Sequence, residues 1–169
     1  MIAKLIVEGK EFPIEIQNPE LQKMLTPQKK TGYERVETGK EFYFQHAIKG
    51  YGRSCDRHEV FDDQYYDVAN YYSDETVAKN NTRADTLMRQ LRRFAVEHRS
   101  SNVSRNKCMY SIAHRISDND VILCPNKMLN CHYMDIWFDT EDAAWKAIQM
   151  FYNELVWYFT EYKDSLRGD

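Results

Sequence analysis

Glycine and proline are scarce in this chain. Six glycines and four prolines in 169 residues leave no glycine-rich phosphate loop, no GxGxxG turn and no low-complexity tether. Cysteine is scarce as well. Cys55, Cys108, Cys124 and Cys131 are too few to staple a chain of this size. The opening residues 1–7 read as a strand and not as a secretory leader, so reduced thiols and a cytoplasmic location are expected. No apolar run approaches the ~18 residues of a membrane helix. Neither sign of charge dominates: 23 Lys and Arg against 26 Asp and Glu give a net charge of −3. That balance excludes a globally basic nucleic-acid binder and is too weak for an acidic surface imitating DNA.

Aromatic residues are abundant. Twelve Tyr, eight Phe and three Trp make up 14% of the chain. Tyr and Trp combine large flat contact area with a polar tip and are enriched at protein interfaces and as stacking platforms for bases. The other reading is tyrosines on exposed strand faces.

Alternation on both sides of Glu8-Gly9-Lys10 predicts a β-hairpin over residues 3–16, with Pro13 placing its strand at a sheet edge. Asn18 and Pro19 then open a short helix that Thr26-Pro27 ends. The stretch 27–32 (PQKKTG) is linker-like and would let the hairpin be a mobile or separately docked appendage. The remainder reads as one unit written twice. Strands over 39–48, 54–61 and 65–73 precede a helix over 74–98, and strands over 107–116, 120–125 and 131–140 precede a helix over 141–162. The junction YYSDETVA (71–78) aligns with WFDTEDAA (137–144), each with a capping residue and acidic residues in the first helical turn.

The expected fold is therefore α+β: an N-terminal β-hairpin and short helix (1–30), then two tandem β-β-β-α units (31–100 and 101–169). Their antiparallel sheets pack on the two long helices within one compact domain. The first long helix has one apolar stripe, including Leu87, Leu91 and Phe94, opposite a cationic side of Arg83, Arg89, Arg92, Arg93 and Arg99. The second is apolar nearly all round, with Trp145, Tyr152, Val156 and Trp157 off its main stripe. Such a helix is either sandwiched between layers or used against another molecule, a second copy included.

Catalytic patterns are thin. Cys55 and His58 have CxxH spacing and Cys131-His132 forms another pair, but an odd step along a strand sends side chains to opposite faces, so no metal site is expected. No GxSxG elbow or HExxH helix occurs, and GYGRS (50–54) reads as a hairpin turn. DDQYYD (62–67) has carboxylates for Mg²⁺ but is equally an acidic turn. No cofactor and no enzymatic activity are expected. Residues 83–107, rich in Arg and Lys, offer phosphate contacts; the other reading is a solvated helix face.

Four segments resemble a known group: KKTGYERVETGKEFYF (29–44), YYDVANYYSDETVA (65–78), LRRFAVEH (91–98) and DIWFDTEDAAWKAI (135–148). Together they are similar to small accessory proteins of phages and prophages of Gram-positive bacteria, over residues 29–159. The chain departs from that pattern in 46–60, where a short acidic hairpin is usual, and in 124–134. Some proteins of this group antagonise host defence, including anti-CRISPR proteins. The resemblance implies a phage or prophage protein that binds and inhibits a bacterial machine, such as a CRISPR–Cas effector, without chemistry of its own. Expected contact residues are Tyr51, Arg53 and Arg57 on hairpin tips, Arg89, Arg92 and Arg93 on the basic helix, and the aromatics Trp145, Trp157 and Tyr158. The alternative is a small nucleic-acid-binding regulator using the basic face over 83–99, and a homodimer through the last helix is a further expectation.

Overall fold

The computed structural model describes residues 2–7, 10–25, 30–48, 50–100, 109–125 and 131–167. Strand β1 (Ile2–Val7) pairs antiparallel with β2 (Lys10–Glu15), Ile2 opposite Glu15 and Val7 opposite Lys10. Pro13 is tolerated because a two-stranded sheet has only edges. Asn18 Oδ1 accepts the Glu20 N–H at 2.9 Å and starts helix α1 (Pro19–Leu25). The linker expected over 27–32 lies partly outside the described residues.

Strand β3 (Glu41–His46) pairs antiparallel with β4 (Gly50–Cys55), His46 opposite Gly50. The chain therefore turns at residues 47 and 48, ahead of the turn read from GYGRS. Gly52 is a strand residue because the ring of Phe44 lies across it: a Cβ there would meet Phe44 Cζ at 2.6 Å. The next segment differs more. Residues expected as second and third strands form helix α2 (Val60–Asp67), and only an isolated bridge, Tyr43 with Tyr72, represents the third strand. The first unit is thus β-β-α-α rather than β-β-β-α. Asp62 decides the outcome locally: its carboxylate accepts the N–H groups of Arg57 (2.8 Å) and Glu59 (3.1 Å), satisfying donors at the helix start.

Helix α3 (Glu75–Glu97) starts where the sequence placed it, with Asp74 accepting the Val77 N–H at 3.0 Å. In the second unit β5 (Tyr110–Arg115) is the central strand between β6 (Asp120–Cys124) and β7 (Cys131–Phe138), both antiparallel to it. Met134, Ile136 and Phe138 are buried and Asp135 and Trp137 exposed, the two-residue period of a half-covered sheet. Thr140 Oγ1 accepts the Ala143 N–H at 3.2 Å to start α4 (Glu141–Trp157), so Asp74 and Thr140 cap at matching positions of the two aligned junctions.

The main core lies between this sheet and two helices: Leu87, Leu91 and Phe94 of α3 and Ala144, Ile148 and Leu155 of α4 close over Ile112, Met134 and Phe138. Helix α3 is shared, contacting β3 and β4 as well as β7 and α4, so the two halves form one body. The last helix is interrupted twice. Phe151 leaves helical geometry (φ −112°, ψ 16°), and Tyr158–Tyr162 form a π turn before α5 (Lys163–Arg167). Leu155 and Phe159, four residues apart on one face, lie in the core, and Trp157, off that stripe, is buried as well. Among the described residues no helix is long and apolar enough to cross a membrane.

Gly32 ties the segment before β3 to the start of α3. Its φ is +86°, and an added Cβ would lie 2.6 Å from Val77 Cγ2. Gly32→Ala is expected to cost about 2 kcal/mol in chemical denaturation, through a strained backbone and a contact that a stiff β-branched neighbour cannot relieve.

Candidate partner-binding face

A charge network centred on Asp56 ties helix α2 to the segment before β3. Asp56, fully buried, takes Arg35 Nε at 2.8 Å, Arg35 Nη2 at 3.1 Å, the Tyr71 hydroxyl at 2.8 Å and the His58 N–H at 2.8 Å. The second arm of Arg35 reaches Asp63 of α2 at 2.6 Å, and its guanidinium lies over the Tyr66 ring at 5.6 Å. Arg35 holds the Asp56 carboxyl far below the usual carboxylate range, and burial next to that carboxylate pushes the Tyr71 hydroxyl up. Tyr71 in turn stacks on Phe42 at 4.2 Å.

One carboxylate of α2, Asp62, faces the protein while Asp63 and Asp67 are exposed, and the Tyr65 ring packs on Phe42 and Phe44. Asp62 is the buried residue of this helix, whereas Val60 is 69%, Phe61 72% and Val68 72% exposed. At 100° per residue Phe61 and Val68 fall on one line about two turns apart, with Val60 and Gln64 on the same outward half. Ile48, in the β3–β4 turn, is 90% exposed. Leaving a Val or Phe in water forgoes about 1.5–3 kcal/mol per side chain. Val60 and Phe61 on α2 and Val68 at its C-cap form the candidate contact surface.

The expected contact residues are dispersed. Tyr51 and Arg53 sit on strand β4 and not on a tip: the Tyr51 hydroxyl donates to Glu75 at 2.8 Å under Lys79, and Arg53 pairs with Glu41 at 3.3 Å. Arg57 is exposed in the loop that enters α2, beside the candidate face. Arg89, Arg92 and Arg93 are exposed on α3; Arg89 donates to Thr86 Oγ1 at 3.1 Å and Arg93 lies 3.7 Å from Glu97. Trp145 is exposed and Tyr158 half-buried.

Trp157 corrects the expectation of an open aromatic. It is only 7% exposed, with the Arg83 guanidinium 3.9 Å from its ring centre and Tyr162 stacked at 5.5 Å. Arg83 also makes a two-point ion pair with Glu154, 2.7 and 3.0 Å, and Arg99 lies 4.0 Å from Asp139, so the basic face over 83–99 is narrower than its sequence implies. The α2 residues escaped sequence reading because VFDDQYYD looked extended and acidic. The spacing of Val60, Phe61 and Val68 was the signal available.

A cleft of about 850 Å³ opens between residues 30–41, the start of α3 and the C-terminal turns. Its carboxylate Glu34 accepts from the Thr31 N–H and hydroxyl, from the Gly32 N–H at 3.0 Å and from Ser73 Oγ at 3.1 Å. These bonds, the Thr31 N–H first, hold its pKa down to about 2. Burial pushes Tyr162, on the opposite wall, up to about 12. A general base works best with a pKa near the working pH, and neither group is near it. The buried Asn81 bridges the walls, donating to Tyr33 Oη at 2.8 Å and accepting from Tyr162 Oη at 2.7 Å. The cleft is braced by structural bonds. Among the described residues no three His, Cys, Asp or Glu side chains gather as a metal set. Cys55 is exposed and Cys124 buried, both unbridged, while Cys108 and the side chains of Cys131 and His132 lie outside the described residues.

Comparison of the chain with family models, curated proteins and solved structures gave no match.

Proposed function

We propose that this protein acts by occupying a surface of a bacterial macromolecular machine, with the outward face of α2 as its principal contact and a CRISPR–Cas effector as the first target to test. The observation that carries the reading is the exposure of Val60 and Phe61 on α2 and of Val68 at its C-cap, while Asp62 is the buried residue of the helix and Arg35 ties Asp63 to the buried Asp56. Exposed Arg57 extends that surface into the adjoining loop, the kind of segment where binding specificity usually resides. The choice of a phage origin and of the effector comes from the sequence resemblance alone.

The test is interference in cells. A strain with an active CRISPR–Cas system, challenged with a targeted plasmid, is expected to regain plasmid establishment when the chain is expressed. Purified protein should then block target binding by the matching effector at near-equimolar ratio. Undiminished interference in every effector type tried removes this target and leaves affinity capture, with and without nuclease, to find another.

The exposed Arg89, Arg92 and Arg93 favour a second reading, a nucleic-acid-binding regulator. Phosphate-centred binding weakens steeply with salt, whereas an apolar interface changes little. Association through α2 is therefore expected to persist from low to moderate ionic strength.

A further inference from the structure

A small pocket of about 210 Å³ lies where the β3–β4 turn meets α3, lined by Gln45, His46, Gly50, Asn70, Thr82 and Arg89. None of its lining residues is a carboxylate. Its walls are fixed: Asn70 Oδ1 accepts the Gln45 N–H at 2.6 Å and Asn70 Nδ2 donates to the Gln45 carbonyl at 3.2 Å. Thr82 is 9% exposed, and its buried Oγ1 finds no hydrogen-bond partner among the described residues, an uncommon state for a hydroxyl in a folded protein. The Ile48 N–H donates to His46 Nδ1 at 3.2 Å. Arg89, which can only donate, makes no ion pair among the described residues.

We infer that this pocket binds a tetrahedral oxyanion of the phosphate class, with the Arg89 guanidinium supplying charge and the Thr82 hydroxyl a buried donor. A carboxylate-free pocket with a cation and an unsatisfied hydroxyl complements a ligand rich in acceptors. A free ion and one phosphate of a nucleic acid carry the same chemistry, and Arg92 and Arg93 lie about one helical turn further along α3. The inference stands apart from the α2 reading, because the two surfaces share no residue.

Titration of isotope-labelled protein with inorganic phosphate at constant ionic strength, followed by NMR, tests it. Saturable shifts centred on His46, Thr82 and Arg89 are expected. Arg89→Ala and Thr82→Val should each weaken binding about tenfold or more, as loss of a hydrogen bond to a charged group does. Thr82→Val keeps the side-chain shape and removes an unsatisfied hydroxyl, so its melting temperature should hold or rise and loss of binding cannot be ascribed to unfolding. A parallel titration with a short single-stranded oligonucleotide separates the sources: tighter binding that Arg92→Ala weakens assigns the phosphate to nucleic acid, and affinity no better than that of the ion assigns a free anion. Absence of saturable shifts, or shifts that persist unchanged in both variants, overturns the inference.

Discussion

Asp56→Ala lowers the unfolding free energy by about 3–4 kcal/mol in urea denaturation, the scale expected when one partner of a buried charged pair is removed. The loss comes from what remains. Arg35 keeps a guanidinium that is only partly solvated, the Tyr71 hydroxyl loses its acceptor, and the His58 N–H is stranded. Asp56→Asn should cost less, because the amide oxygen still accepts from one of these donors. Stability should also depend on acid in a defined direction. Arg35 depresses the folded-state pKa of Asp56, so its contribution is present in full above the unfolded value near ~4 and is lost as pH falls below it. Glu34, held at about 2, adds to the same acid limb. The wild-type curve should be flat near neutrality and fall below pH ~4, and Asp56→Asn should fall less steeply. A variant as stable as wild type with an unchanged acid limb would mean that this network does not anchor α2.

Phe61→Asp combined with Val68→Asp has the other large effect, on association instead of folding. Both side chains are mostly in water, so folding stability should move by no more than about 0.5 kcal/mol per site. If they are the anchors of the contact, each is a hot spot of about 2 kcal/mol, and the pair weakens partner binding on the order of a thousandfold. Trp145→Ala, on the exposed side of α4, serves as the comparison and should leave binding unchanged. Isothermal titration or surface-based kinetics with the captured target reads both outcomes. Equal affinities for wild type and the α2 double variant place the contact elsewhere.

Much of the second half was legible in the sequence because local chemistry and tertiary demand agree there. Alternating Met134, Ile136 and Phe138 mark the inner face of β7, and Thr140 with Glu141 and Asp142 marks the start of the next helix. The same agreement made Asp74 readable as the cap of α3. The segment 56–73 was not legible, because its conformation follows from a long-range ion pair. Arg35 lies far from Asp63 in sequence, and no local pattern says that VFDDQYYD will coil with Asp62 buried. Trp157 misled for a related reason: Arg83 of α3 and Tyr162 cover its ring, and no helical wheel over 141–162 shows a partner from another helix. The basic face was overestimated because charge counting cannot show that Arg83 is matched by Glu154.

Backbone deuterium exchange on the complex with the captured partner bears most directly on the central claim. Slowed exchange concentrated in Val60–Asp67 and in the adjoining loop at residues 57–59, relative to the free chain, is the predicted pattern. Protection confined to the Arg89–Arg93 stretch of α3 or to the Trp145 side of α4, with α2 exchanging as in the free protein, would contradict it.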